Sequence, residues 1–351
     1  MKNNPTHLMV SIVHDLVAFS KDKNQVESFN PKPPILNTKW NFVSAEKESV
    51  FKKLYRQEQT LGDITRKIFV GLQTSADKIY LLKILKENEN TYTTYSKALE
   101  EEIEIEKGLI KLFLLGKDVK RYEPLAPKYV VIFPYSIIEG KSILMDQKFI
   151  KKTFPLGWSY LLKNKKELEN REKGKMKGDN FYAYIYPKNL SEFEVQKICT
   201  PDIANSPEFT FDISSKLYHT TTVYSFVFIH TIQENQKYFL GILNSKLFWY
   251  FVKNTGNVLR GNFFRFKTEY LKPFPIKLIN FHNTNEEIVY KEIISLVDQL
   301  LQLHQEKSTI KLQSSLAQIQ GKIDYCERRV DELVYELYGL TEEERKVVEG
   351  A

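Results

Sequence analysis

Two cysteines in a chain of 351 residues, Cys199 and Cys326, stand far apart with no CxxC and no Cys/His ligand spacing, which argues against a disulfide framework or a zinc site. A reduced, cytoplasmic setting is the expectation. No apolar run approaches the roughly 20 residues that a membrane span needs, and the amino terminus lacks the basic, apolar and small-residue blocks of a signal peptide. No membrane partner is expected. Catalytic signatures are missing too: there is no P-loop, GxGxxG, HExxH or GxSxG. Carboxylates do stand near lysines, as at Glu104, Glu106 and Lys107 or at Asp202, but 44 acidic and 51 basic residues produce such neighbours by chance. Neither a catalytic residue nor a metal ligand is therefore expected, and His219 and His230, which flank an apolar run, read as structural histidines.

What is present is apolar mass and uneven charge. At 42% hydrophobic residues the chain can build a sizeable core, in one large domain or two ordinary ones. Residues 141–190 hold twelve Lys or Arg against five Asp or Glu, an excess equal to the +7 of the whole chain. Residues 284–351 hold eight basic against fourteen acidic side chains, so a polyanion drawn to the middle of the chain would be repelled by its end. The plainer alternative is a pair of ordinary solvated faces.

Thr6 can cap a short amphipathic helix with Leu8, Ile12, Leu16 and Phe19 on one face, and Lys21 to Thr38, with Pro31, Pro33 and Pro34, reads as an extended linker. After Trp40 and Phe42, Ala45 to Glu58 is a helix whose stripe is Val50, Phe51, Leu54 and Tyr55. Runs from Lys67 to Leu72 and Lys78 to Ile84 flank a polar turn at 73–77, a hairpin or strand-loop-strand pattern, with Gly71 where a Cβ would obstruct. Seven glutamates between Glu87 and Glu106 suggest a solvent-facing insertion. Lys128 to Tyr135 and Thr220 to Thr231 are β-branched and aromatic, as buried strands are. Leu156 to Lys173 is a helix with Trp158, Leu161, Leu162 and Leu168 inward. A glycine-hinged loop follows, then Tyr182, Tyr184 and Tyr186 in alternation. These form either a core strand or a tyrosine face beside lysines on phosphates.

Near the end, Asn285 to Glu306 carries Val289, Ile293, Leu296, Val297, Leu300, Leu301 and His304 on one stripe. Ser308 or Thr309 can cap a second helix, in which Leu316, Ile319, Ile323, Cys326, Val330, Leu333 and Leu337 alternate by three and four. Gly339 suits a left-handed helix end, and Thr341 with Glu344 a capping box. The pair should form an antiparallel hairpin whose seam serves a partner helix or docking within the chain.

Tyr238 to Ile276 joins an aromatic run, a Gly/Asn/Arg loop from Lys253 to Arg265, and an exit held extended by Pro273 and Pro275. Such a loop between rigid elements suits a negatively charged ligand. Were that ligand a DNA duplex, base reading would fall to Gln73, Thr74, Ser75, Asn257, Arg260, Asn262 and Arg265, because Arg pairs with guanine and Asn or Gln with adenine. Phosphate contacts fall to Lys78, Lys163, Lys165, Lys166, Arg171, Lys173, Lys175, Lys177 and Lys267.

In order along the chain, WNFV at Trp40, GLQTSADKIYLL at Gly71, LLGKDVKRY at Leu114, VIFPY at Val131, NREKGK at Asn170, GILNSKLFWYF at Gly241, RGNFFRFKTEYLKPFPI at Arg260 and IDYCERRVDELVYELYGLTEEE at Ile323 resemble one family. It is the TaqI-like carboxyl-terminal specificity domain of type II restriction-modification enzymes and adenine methyltransferases, related to type I specificity subunits. The resemblance implies a mixed α/β (α+β) target recognition domain over 39–280, behind a segment and linker at 1–38 and ahead of a helical hairpin at 284–351. It implies double-stranded DNA as partner, together with a methyltransferase or nuclease subunit or domain. S-adenosylmethionine and magnesium would belong to that partner or to a missing domain, with no cofactor in this chain. An NPPY-type motif, which holds a flipped adenine, is not found: Asn4 with Pro5, and Pro33 with Pro34, lack the aromatic. The expectation is a separate specificity subunit or a fragment. A metal-dependent endonuclease, or a protein-interaction module built on the hairpin, are the competing readings.

Overall fold

The computed structural model describes residues 10–12, 27–29, 45–310 and 312–350. Val223–Phe228, alternating β-branched and aromatic side chains, lies inside a four-stranded antiparallel sheet ordered Thr210–Asp212, Lys197–Pro201, Val223–Phe228, Thr65–Val70. A second sheet has six strands, ordered Tyr218–His219, Ile110–Leu114, Tyr129–Ile132, Leu81–Glu87, Thr91–Ser96, Glu101–Glu106. Only its first pair is parallel. Each sheet has its own core. Helices Ala45–Leu54, Gln236–Leu243, Lys246–Thr255, Thr284–Thr309 and Gln313–Leu337 bury their apolar stripes with the four-stranded sheet. Helix Pro155–Lys163 covers the six-stranded sheet through Trp158, Tyr160 and Leu161. The mixed α/β body and the antiparallel carboxyl-terminal hairpin are as the sequence predicts.

The sheets meet where the chain passes from Thr65–Val70 to Leu81–Glu87. Gly71 carries this crossing: a Cβ there would lie 1.9 Å from the His219 carbonyl oxygen, while the next amide, Leu72 N, donates to that oxygen at 2.8 Å. The two runs around residues 73–77 thus form a strand-loop-strand and not a hairpin, since they belong to different sheets, and Asp77–Tyr80 is a helical turn. In the middle of the four-stranded sheet Lys197 is fully buried. Its ammonium faces Asp212 at 2.5 Å and the Phe193 carbonyl at 2.6 Å, the only kind of setting in which a buried charge is tolerable.

Several expectations are corrected. The acidic stretch is no insertion: Thr91–Ser96 and Glu101–Glu106 complete the edge of the six-stranded sheet, with Tyr92, Thr94, Ser96 and Ile105 inward and most glutamates outward. The period-two alternation outweighs the charge count. Residues 181–186 form no strand and no tyrosine face for phosphates. Tyr182 and Tyr184 are buried and donate to the carbonyls of Met145 and Ile132. The predicted helix around Thr6 is overturned at Val10–Ile12, which pairs as a strand with Glu27–Phe29 inside the expected linker. The remainder of residues 1–44, Trp40 and Phe42 included, lies outside the described residues. Helix Ala45–Leu54 buries Val50, Phe51 and Leu54, but Tyr55 lies past its end and is exposed.

Asn283 caps the first hairpin helix, accepting from the amides of Asn285 and Glu286. Ser308 and Thr309 do not cap the second. Their hydroxyls donate back to the carbonyls of Gln305 and Glu306, and the second helix begins behind Leu312. Ile319, Ile323, Cys326, Val330 and Leu333 are buried within this chain's own core, while Leu316 and Leu337 are half-buried. Gly241 on helix Gln236–Leu243 lets that helix approach closely, with Ile293, Val297 and Val330 within van der Waals reach. Gly339 takes the left-handed conformation at φ 66°, and Thr341 with Glu344 forms the capping box.

Arg121 pairs with Glu327 at 2.9 Å, and Tyr122, at φ 56° and wholly buried, sets its ring 6.3 Å from that of His304. Nearby, Asp331 accepts the Lys246 amide at 2.7 Å, and burial pushes its carboxyl up to about 6. An acid with a raised folded-state pKa loses stability as pH rises from its ordinary value to the raised one. Asp331→Asn should therefore match the wild type in stability near pH 3, gain on it between about pH 4 and 6, and keep the gain above, as read by urea unfolding at each pH. In the same assay at pH 7, Val330→Ala should cost about 2 kcal/mol and Leu316→Ala less than about 1.

Candidate nucleic-acid interface

Three strand ends of the four-stranded sheet fall on one edge, because Val70 pairs with Tyr224 and Pro201 with Val223. The segments running from them hold one another by backbone bonds. Asp202 N donates to Thr222 O at 2.8 Å, Leu72 bridges Thr220, and Gly116 N donates to Thr222 Oγ1 at 3.1 Å. From Asp202 the edge extends into a ribbon: Ile203–Ala204 pairs with Phe263–Arg265, which pairs with Val258–Leu259, and Phe266 N closes onto Asp202 O at 2.7 Å. The two loops proposed for base reading, far apart in sequence, thus share one edge.

Gln73 and Ser75 are exposed in the first loop, Gln73 bridging to Tyr186 and Ser75 at φ 59°. Thr74 is different. It is buried, its hydroxyl bonded to the Asp77 carboxylate and its carbonyl to Arg171, so its side chain shapes the turn. In the second loop Asn257, Arg260 and Asn262 are exposed, and the left-handed pair Gly261 (φ 82°) and Asn262 (φ 58°) turns the ribbon at its tip. Arg265 is half-buried, its Nε 3.8 Å from the Asp202 carboxylate, and Lys267 is half-buried at 3.9 Å from Glu269. Burial raises the Asp202 carboxyl, opposed by the charges of Arg265 and Lys267.

The basic segment adjoins this edge through Tyr186, over whose ring the Lys175 ammonium sits at 5.5 Å. Lys78, Lys166, Lys173 and Lys177 are exposed. Lys163 and Lys175 have surface partners, Glu101 at 2.8 Å and Glu172 at 3.6 Å, while Lys165 faces Glu169 at 3.7 Å and the Phe181 ring at 5.2 Å. Such exposed pairs are worth little and are readily exchanged. Arg171 stands apart. Only 8% exposed, its guanidinium donates inward to the carbonyls of Leu168, Thr74, Phe181 and Ala183, tying the base-reading loop to the basic segment. Sequence reasoning missed Asp202 and Thr220 to Thr222. The threonines read as the start of a buried strand, since β-branched composition does not distinguish a strand from the polar loop that feeds it.

His219 is buried, its Nε2 bonded to Ser225 Oγ at 2.6 Å, and burial pushes it down to about 3, so it stays neutral. Among the described residues no group of three or more His, Cys, Asp or Glu could hold a metal ion, and no described helix is long and apolar enough to cross a membrane.

Residues 111–276 match the family model of the TaqI-like C-terminal specificity domain. The chain is similar to type II restriction and modification enzymes. Its relatives include a type II restriction enzyme and methyltransferase of Escherichia coli, 26% identical over 274 residues, which span 73% of this chain and 27% of that protein. A type II methyltransferase of Aneurinibacillus aneurinilyticus is 25% identical over 146 residues, 41% of this chain and 22% of that protein. The chain spans about a quarter of the length of these curated relatives.

Arg171→Ala should destabilise the fold by about 2–4 kcal/mol, because four carbonyls lose a charged donor. Lys173→Ala should shift it by less than about 0.5 kcal/mol. Urea unfolding midpoints check both.

Proposed function

We propose that this chain recognises a specific sequence in double-stranded DNA and positions a separate adenine methyltransferase or nuclease, as a subunit or domain of a restriction-modification or related phage-defence system. The observation that carries the reading is the convergence of the Gln73–Lys78 loop, the Val258–Arg265 ribbon and the Lys173–Lys177 segment along one edge, within a chain whose relatives are restriction and methylation enzymes. In this reading affinity comes from lysines on phosphates, and discrimination comes from Gln73, Ser75, Asn257, Arg260, Asn262 and Arg265 at base edges. Chemistry, with S-adenosylmethionine and magnesium, is supplied by the partner.

Selecting bound duplexes from a random library tests the reading, and a failure to enrich any sequence, alone or with the cognate methyltransferase, would overturn it. On the enriched duplex, Arg260→Ala should cost about 1–3 kcal/mol and relax preference at one base pair. Lys173, Lys175 and Lys177 changed together to Ala should weaken all duplexes alike and reduce the slope of log affinity against log salt by roughly 2 to 3.

A further inference from the structure

Strand alternation divides the ribbon into two faces. Ala204 and Phe264 point inward, where Phe264 packs edge-on against Trp249 with ring centroids 5.1 Å apart. Leu259, Phe263, Ile203 and Arg265 share the other face, which the cross-strand pairs Leu259 with Phe263 and Ile203 with Arg265 fix. Here Phe263 is 39% and Ile203 41% exposed, and no described element covers them. Arg265 stands across from Ile203 and two residues after Phe263, its Nε shielded from solvent, making no hydrogen bond and lying 3.8 Å from the Asp202 carboxylate. Apolar side chains and a guanidinium held only by a long ion pair to Asp202 thus stand together on an outward surface.

We infer that this face is a subsite for the C5 methyl group of a thymine, set in the major groove beside the base pair that Arg265 reads. The inference rests on the DNA-reading proposal above and deepens it. The ribbon's outer hairpin, Val258–Leu259 and Phe263–Arg265 with the turn between them, has the two-stranded width that a major groove admits, with Ile203–Ala204 flanking it on the inner side, and thymine's methyl is the one apolar group that the unmodified bases present there. The patch is three side chains across and is framed by Arg260, Arg265 and Lys267. A folded protein surface would need a far larger contact to hold stably, and would have to cover those cations, whereas the duplex neutralises them with phosphates and guanine acceptors. Phe263 then acts as a specificity-determining residue through its ring edge, with Leu259 behind it.

The test uses the full chain and the duplex enriched by selection. Each thymine is replaced in turn by deoxyuridine, which removes the methyl and leaves the pairing intact. At one position the wild type should lose about fourfold in affinity, as expected for one buried methyl. Phe263→Ala should bind the thymine duplex about as weakly as the wild type binds the uracil duplex, and should not distinguish the two. Leu259→Ser should blunt the difference in the same direction, and equal unfolding midpoints show that both variants remain folded. Enriched duplexes that tolerate uracil everywhere, or a uracil penalty that persists in Phe263→Ala, overturn the subsite while leaving DNA reading intact. Failure to enrich any duplex overturns both.

Discussion

The crossing at Gly71 is the constraint on which the rest of the interface depends. There the chain leaves one sheet and enters the other, and there the last strand of the six-stranded sheet hands over to the loop that begins the centre of the four-stranded one. A single carbonyl, that of His219, accepts from Leu72 N at 2.8 Å and fills the space any side chain at residue 71 would need. The sheets are thereby held with their loop-bearing ends together. The ribbon is attached to this point through two further backbone bonds, Asp202 N to Thr222 O and Phe266 N to Asp202 O.

Polar groups elsewhere serve the same end from inside. Lys197 and Asp212 neutralise each other within the four-stranded sheet, and Asp212 also accepts the amides of Ser215 and Leu217, which position the approach to Tyr218–His219. Arg171 performs the matching task in the other layer by gathering carbonyls from the Thr74 turn and from Phe181 and Ala183. Neither cation is available to a polyanion. Composition alone assigns them to charge, whereas burial assigns them to architecture.

How much of this was legible in the sequence depends on whether local pattern or tertiary contact decided the outcome. The hairpin helices, the capping box at Thr341, the helix end at Gly339 and the core strand around Val131 follow from periodicity and turn chemistry, which are local. Gly71 could be singled out, but not the carbonyl it admits. Arg171 could not be told from its lysine neighbours, because its partners are backbone carbonyls 97 and 10 residues away. The acidic stretch misled for the converse reason: a strand at a sheet edge shows one face to water, and its glutamates hid the inward alternation of Ile103 and Ile105. The gathering of residues 73 and 260 on one edge is a matter of strand register, which no spacing within either loop records.

The candidate interface is held together mostly from its main chain. Its loop segments are attached by main-chain bonds from the amides of Leu72, Asp202 and Phe266, while Gln73, Asn257, Arg260 and Asn262 extend from them into solvent. Main-chain attachment does not depend on residue identity. Gln73, Asn257 and Arg260 can be exchanged without loosening either core, so under the proposed function descendants of this chain would alter what the edge binds and remain folded, while Asn262 is constrained by its left-handed backbone.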